Sequence, residues 1–288
     1  MIGILSEQTD IKKELGKHFP IKDLYNSEYN FPEIDGLFID WINGSIMPDE
    51  FAFQAAVIEK YVRKRIPVVI FDGDLSMTRK EFEWLKKFKV FFFEPAIKNR
   101  REFSYMPHWL SQPIKGIHKR NENRPFQLSF ITPNMNDRLK SFEMYYRNVA
   151  RLYPDKKVCY QTKNIDKDKE IAYTRDNLVR MDDILLEDVS ITVLIDSQKN
   201  YEIGYLDPYL FYALHQGCLP LLPLEHKFFG NLFNKLVVSS ASEVNFMIES
   251  FGNISYLIID DIIDSIDNMF PEMTIENVGN TIKEYLLR

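Results

Sequence analysis

The segment Val68-Val69-Ile70-Phe71-Asp72-Gly73-Asp74-Leu75-Ser76 sets two carboxylates just past an unbroken apolar run. The run reads as a buried strand, so Asp72 and Asp74 stand where it emerges. A carboxylate at such an edge can be reached by a substrate proton while staying shielded enough for its pKa to be tuned, as a general base requires. Two other readings stay open. Either aspartate can cap the following turn, and a D-x-D pair can hold a divalent metal.

In Ile131-Thr132-Pro133-Asn134-Met135-Asn136-Asp137-Arg138 a strand end runs into a helix start. Backbone N–H groups near Asn134 and the forked guanidinium of Arg138 suit a diphosphate. An arginine in a first helical turn is also a common surface residue. The most distinctive segment runs from Asp196 to Leu222. Within it Asp207-Pro208 starts a helix, with proline at the position that tolerates it, and Gly217 stops that helix ahead of Cys218-Leu219-Pro220. Tyr201, Asp207, Tyr209 and Tyr212 surround this element and are candidates for holding a nucleotide, as is Thr174 in the polar stretch before it. Aromatic packing under the helix is the competing role for Tyr209 and Tyr212.

Several chemistries lose support. Neither G-x-G-x-x-G nor G-x-x-x-x-G-K-[ST] occurs, and there are only 11 glycines, which argues against dehydrogenase and P-loop readings. A nucleotide would then be held by side chains and helix N-termini. His108 beside Trp109 has no second histidine at a ligand spacing, so it reads as structural and no metal site is expected. Cys159 and Cys218 are too few for a disulfide framework and fit a reducing compartment.

The net charge of -6 argues against a polyanionic partner until it is divided along the chain. Residues 1–78 carry 8 basic and 13 acidic side chains, residues 79–124 carry 12 and 5, and residues 125–288 carry 16 and 24. The middle stretch is thus +7 between flanks of -5 and -8. Screening limits each charge to about 8–10 Å, so a local basic surface can still attract a polyanion. Arg79, Lys98, Arg100, Arg101, Lys119 and Arg120 are its candidate contacts, and Phe103, Tyr105, Trp109 and Leu110 lie among them. A solvated helix face followed by a linker is the plainer reading.

These residues must be carried by a scaffold, and the periodicity says which kind. With 288 residues, two domains are expected, because single cores rarely grow past about 250–300 residues. Short apolar runs alternate with amphipathic stretches, the signature of βαβ units and a mainly parallel sheet. In the first half the strand candidates are Ile2–Leu5, Gly36–Asp40, Pro67–Phe71 and Val90–Phe93, with helices over Glu50–Lys64 and Arg79–Phe88. Thr78 and Glu81 form a capping box for the second helix. Residues 95–124 read as a connection. The alternation then restarts, with strands Gln127–Ile131, Lys157–Tyr160, Ile191–Ile195, Leu219–Leu222 and Leu236–Ser239. Helices are expected over Arg138–Leu152, Asn177–Leu185, Pro208–Gln216, Ser242–Phe251 and Ile275–Leu287. The N-terminus lacks a signal-peptide pattern and no run is long enough to span a bilayer, so a cytoplasmic location is expected.

The Asp196–Leu222 layout resembles the donor-binding element of two-Rossmann (GT-B) glycosyltransferases, whose turn reads A-x-x-x-G-x-x-P, here Ala213 to Pro220. A closer similarity is to the T-even phage DNA glucosyltransferases, which attach glucose to 5-hydroxymethylcytosine. Lys199-Asn200-Tyr201 and the helix and strand up to Leu222 look like their donor segment. Val68–Ser76 looks like their catalytic loop, with Asp74 at the base position, and Arg138 matches a diphosphate-binding arginine. A second arginine of that cluster falls on Asn134. The family's ribose-binding glutamate falls on Tyr212, a nearby arginine on Tyr209, and a histidine ahead of the aspartate on Gly73.

The resemblance implies an α/β chain of two Rossmann-like domains facing a cleft: an acceptor domain over residues 1–124 and a nucleotide-sugar domain over residues 125–288, with the last helix crossing back. It implies transfer of a sugar from UDP-glucose or a similar donor to a hydroxymethylated pyrimidine in double-stranded DNA. Asp74 would be the base, with Asp72 second in line, and a divalent ion could help product release without being required. A monomer in a phage-infected bacterial host, without membrane attachment, is the implied setting. A surface glycan, lipid or protein acceptor is the alternative within this fold. A non-catalytic DNA- or protein-binding pair of domains is the alternative outside it.

Overall fold

The computed structural model describes residues 1–6, 9–25, 31–42, 47–98, 100, 102–106, 124–164, 176–226, 228, 234–252, 255–269 and 275–286. The chain divides into two compact units, Met1–Leu110 with Phe270–Arg288, and Ser111–Met269.

The first unit is a parallel sheet of β1 (Ile2–Leu5), β2 (Ile21–Asp23), β3 (Gly36–Asp40), β4 (Val68–Phe71), β5 (Val90–Glu94) and β6 (Phe103–Tyr105), ordered β2-β1-β3-β4-β5-β6. All four residues of β4 are buried, as expected for a strand with helices on both faces. Its helices ahead of the second unit are α1 (Thr9–His18), α2 (Pro48–Arg63) and α3 (Arg79–Leu85) among the described residues. In α2, Pro48 occupies the first turn with Asp49 and Glu50, while Lys60 and Arg63 close the last turn, each charge matched to the helix dipole. Thr78 and Glu81 form the expected capping box at the start of α3.

The second unit contains β7 (Phe126–Asn134), β8 (Val158–Asn164), β9 (Leu178–Arg180), β10 (Val189–Val193), β11 (Leu219–Pro223) and β12 (Val237–Val238), ordered β12-β11-β10-β7-β8-β9. Counted from its own first strand, this is the 3-2-1-4-5-6 order of dinucleotide-binding folds. A helical stretch follows β7, with a π turn over Glu143–Arg147 between α4 (Leu139–Phe142) and α5 (Asn148–Leu152). The remaining helices are α6 (Gln198–Ile203), α7 (Tyr209–His215), α8 (Ala241–Phe251), α9 (Ser255–Met269) and, returning to the first unit, α10 (Ile275–Leu286).

The α10 helix packs on α1, β3 and β4. Its Tyr285 ring meets Phe91 and Phe93 at 4.9 and 5.1 Å, and Leu286 lies against Gly36. A Cβ at position 36 would stand 2.8 Å from Leu286 Cβ, so only glycine permits this approach.

One helix expected from the sequence is corrected. Residues 178–180 form edge strand β9, with Val158 paired to Leu178 and Tyr160 to Arg180. The spacing of Leu178, Ile184 and Leu185 suggested a helix. In the fold Leu178, Ile184 and Leu186 are buried along an irregular chain, and the Asn177 amide donates to the Ala150 and Lys156 carbonyls at 2.9 and 3.0 Å. Strand pairing outweighs the helical spacing. Likewise Phe103–Tyr105, read as connection, joins the first sheet beside β5, and α1, β2, α6 and α9 had no counterpart in the sequence reading.

Candidate functional site

Each unit gathers polar groups at the carboxyl edge of its sheet. In the first unit, β4 ends and Asp72 follows, fully buried. Its backbone N–H donates to the Phe93 carbonyl at 2.9 Å, so the chain leaves the strand still in register with β5. The Asp72 carboxylate accepts from Ser76 N (2.9 Å), Ser76 Oγ (3.3 Å), Met77 N (3.0 Å) and the Arg100 guanidinium (2.5 Å). With these donors in place Asp72 is an anchor for its own loop. The second candidate for the base is thus buried, with both of its oxygens already accepting hydrogen bonds.

Asp74 sits two residues later on the exposed tip of the turn, ahead of Leu75, whose φ of 55° is a left-handed backbone conformation. Partial burial in the loop, and after it the negative charge of Asp72, raises the Asp74 carboxyl above its ordinary value of 3.8. A reachable carboxylate held above the usual range is a suitable base.

Arg100 joins the same cluster. Beyond Asp72, its Nε reaches the Glu94 carboxylate (2.5 Å), its Nη1 donates to the Met77 carbonyl (2.9 Å), and its guanidinium lies 3.8 Å from the Phe103 ring centroid. The sequence places Arg100 in the polyanion-contacting set, but its hydrogen-bonding edge points into the protein. Arg79 and Lys98 are exposed. Arg101, Lys119 and Arg120 lie outside the described residues, as do His108 and Trp109.

In the second unit the strand order reverses between β7 and β10, the position at which ligands enter open α/β sheets. A cavity of about 170 Å³ lies there, lined by Phe130 and Ile131 of β7, Thr192 and Val193 of β10, Leu194 and Ile195 beyond it, and Asp207 and Tyr209. That is below the roughly 300–1,000 Å³ of a whole ligand pocket.

Arg138 is bonded to Ile195, one of the residues that line this cavity. Its Nε donates to the Ile195 carbonyl and its Nη2 to Asp196 Oδ1, both at 3.1 Å. Asp196 is buried and also accepts from Ser197 N (2.6 Å) and Asn200 Nδ2 (2.9 Å). Ser197 caps α6, and Gly204, at φ 68°, ends it. The sequence reading placed Arg138 at a ligand but did not single out its carboxylate partner. The available signal was a carboxylate directly after an apolar strand, the same pattern that marks Asp72.

The remaining candidates fall around these groups. Tyr201 is buried, and its hydroxyl accepts from Asp196 N at 2.7 Å, so it supports the Asp196 turn from inside. Its ring meets His226 edge-on at 5.1 Å, and burial pushes the His226 pKa down to about 4 despite Asp196 nearby. Asp207 accepts from Tyr209 N at 2.8 Å, while Leu210 N and Phe211 N donate to the carbonyls of Asp207 and Pro208. The Tyr209 backbone N–H is thus satisfied internally. The Tyr209 ring walls the cavity, but its hydroxyl is buried and has no hydrogen-bond partner among the described residues. Tyr212 is 47% exposed beside it, the two rings 5.8 Å apart. Asn134 closes β7 opposite Asn164, and Thr174 lies outside the described residues. No group of three or more histidine, cysteine, aspartate or glutamate side chains able to hold a metal occurs among the described residues. Among these residues no helix is long and apolar enough to cross a membrane.

No protein-family model matches this chain, and no curated protein sequence matches it. Solved structures do. An alpha-glucosyltransferase in complex with UDP and a 13-mer DNA containing a central A:G mismatch aligns with a TM-score of 0.59 at 11% identity, over 94% of this chain and 86% of that one. TarM aligns with a TM-score of 0.52 at 12% identity, over 92% and 57%. A Thermobaculum terrenum O-GlcNAc transferase variant aligns with a TM-score of 0.53 at 8% identity, over 98% and 65%. The chain therefore spans somewhat more than half the length of TarM. At these identities the likeness is one of fold: two Rossmann-like α/β units of the GT-B glycosyltransferase type.

Proposed function

We propose that this chain is a glycosyltransferase that moves a sugar from a nucleotide sugar, UDP-glucose or a close relative, to the hydroxymethyl group of a modified pyrimidine in double-stranded DNA. The observation that carries the donor half is the cavity at the β7–β10 switch point, with the Arg138 guanidinium bonded to the carbonyl of Ile195 in its lining. An apolar recess next to a fixed cation fits the base or ribose of a nucleotide and its diphosphate respectively. Neighbours of the same fold support this reading, since one of them is described with UDP and DNA together.

In this reading Asp74 accepts the hydroxyl proton as the acceptor oxygen bonds to the anomeric carbon and the bond to the diphosphate breaks. Arg138 balances the charge that gathers on the departing diphosphate, and Asp196 holds Arg138 in place for it. Arg79 and Lys98, exposed in the basic stretch, would meet DNA phosphates and add affinity without sequence preference.

The test is incubation with a panel of nucleotide sugars and either hydroxymethylated or unmodified duplex DNA, followed by mass analysis of the nucleosides. A hexose added only to the hydroxymethylated nucleoside is the expected result. Donor turnover with every nucleoside unchanged would move the acceptor to another class of molecule. The absence of any donor binding would reject the enzyme reading itself.

A further inference from the structure

From the ion-pair cluster at the carboxyl edge of the first sheet we infer that Arg100 is a positioning residue for the reaction, acting through Asp72 on the loop that presents Asp74. The inference rests on the reading of Asp74 as the base, and deepens it.

The sheet itself creates the need for Arg100. Phe71 of β4 is in register with Phe93 of β5, so the next residues, Asp72 and Glu94, leave adjacent strands side by side. Both are at most 1% exposed. Two neighbouring buried carboxylates repel, and a cation between them offsets that repulsion. Arg100 is that cation. It bonds Asp72 and Glu94 with different nitrogens of one planar fork, which an ammonium on a flexible stem cannot reproduce. Its third contact, to the Met77 carbonyl, and its stacking on Phe103 of β6 tie loop 72–77 to the ends of three strands.

Asp72 in turn holds Ser76 and Met77 by their backbone amides, closing the turn whose tip is Asp74. The charged groups at this edge include Asp72 on the loop, Asp40 at the end of β3, whose carboxylate accepts from Ser6 Oγ at 3.1 Å, Glu94 at the end of β5, Arg100 after it, and Glu81 of α3, whose carboxylate is turned to Thr78 N. Removing Arg100 leaves the Asp72 charge uncompensated beside Asp74, whereas removing the Asp72 charge relieves Asp74 of its negative neighbour. The two changes act on Asp74 with opposite sign, and a general loss of folding would not produce that.

The test uses the full chain and the variants Arg100→Gln, Arg100→Lys and Asp72→Asn. For Arg100→Gln the expected result is a kcat lowered about 10-fold to 100-fold with donor affinity unchanged, and the acid limb of the pH–rate profile moved to higher pH. Asp72→Asn should move that limb to lower pH. Arg100→Lys, which keeps the charge but not the fork, should leave the limb near its original position and still lower kcat. Carboxyl NMR titration of Asp74 in the same proteins reads the opposite shifts without any turnover. It therefore tests the coupling of Arg100 to Asp74 even if the wild-type chain transfers no sugar, an outcome that would reject the enzyme reading alone. Shifts of the same sign in Arg100→Gln and Asp72→Asn, or no shift in either, would overturn the inference. So would an Arg100→Gln protein whose only defect is a salt-dependent loss of DNA affinity.

Discussion

Nη2 of Arg138 lies 3.1 Å from Oδ1 of Asp196, and both side chains are largely withdrawn from solvent, with 17% and 4% exposure. The pair mirrors the one in the other unit, where Arg100 meets Asp72. In each case an aspartate just beyond a central strand is buried at the carboxyl edge, and an arginine from a different segment neutralises it. Removing one partner of such a pair strands a buried charge. Arg138→Leu should therefore cost about 2–4 kcal/mol in urea unfolding. It should also weaken UDP binding by about 10-fold to 100-fold in calorimetry, the equivalent of a charge-assisted hydrogen bond or two. Unaltered UDP affinity in a folded Arg138→Leu protein would separate this arginine from the donor.

Asp74→Asn should lower transfer by about 10²-fold to 10⁴-fold, the usual contribution of a general base, and leave donor binding intact. It also carries a stability signature of definite sign. The folded-state pKa of Asp74 is raised above 3.8, so the folded protein holds this proton more tightly than the unfolded chain. That contribution is present below the ordinary carboxylate range and lost as pH rises through the raised value. Asp74→Asn should thus melt at or above the wild-type temperature at pH 7, with the advantage shrinking on acidification toward pH 4. A lower melting temperature at pH 7 would contradict this.

His226 gives the opposite pH dependence. Its pKa is about 4 in the folded state against 6.5 ordinarily, so the unfolded chain binds the proton more readily once pH falls below 6.5. Stability should be lost between pH 6.5 and about 4, amounting to about 3 kcal/mol when complete. Urea unfolding at several pH values should show a shallower acid slope for His226→Gln than for wild type.

The Tyr209 hydroxyl is buried without a partner among the described residues, a cost its ring does not share. Tyr209→Phe should be neutral or more stable by about 1 kcal/mol, with UDP binding unchanged, because the ring still walls the cavity. Tyr209→Ala should weaken UDP binding by removing that wall. If Tyr209→Phe lost donor affinity, the hydroxyl would have to turn toward the ligand.

Gly36→Ala tests the return of the C-terminal helix to the first unit. The added methyl would meet Leu286 Cβ at 2.8 Å and its carbonyl oxygen at 3.0 Å, so α10 would have to move. A loss of about 1–3 kcal/mol is expected, together with faster proteolysis within residues 275–286. Wild-type protection of that helix would show that the contact tolerates a side chain.

The sequence by itself determined the strands and their parallel pairing, because Ile2–Leu5, Gly36–Asp40, Val68–Phe71 and Leu219–Pro223 are apolar runs that only a doubly covered sheet can bury. It also located Asp72, Asp74 and Arg138, since charged residues stand out where such runs end. Local patterns that depend on a few neighbours, such as the Thr78–Glu81 box, were legible for the same reason. What only the tertiary structure decided was which charges face each other. The partner of Asp72 is 28 residues away and that of Arg138 is 58. Pairing at such distances follows from strand order and register, which place Asp72 beside Glu94 and bring Arg100 between them. Strand pairing with β8 likewise made residues 178–180 extended against their helical spacing. A buried charge must find its counter-charge wherever the fold brings one, and no local spacing encodes that choice.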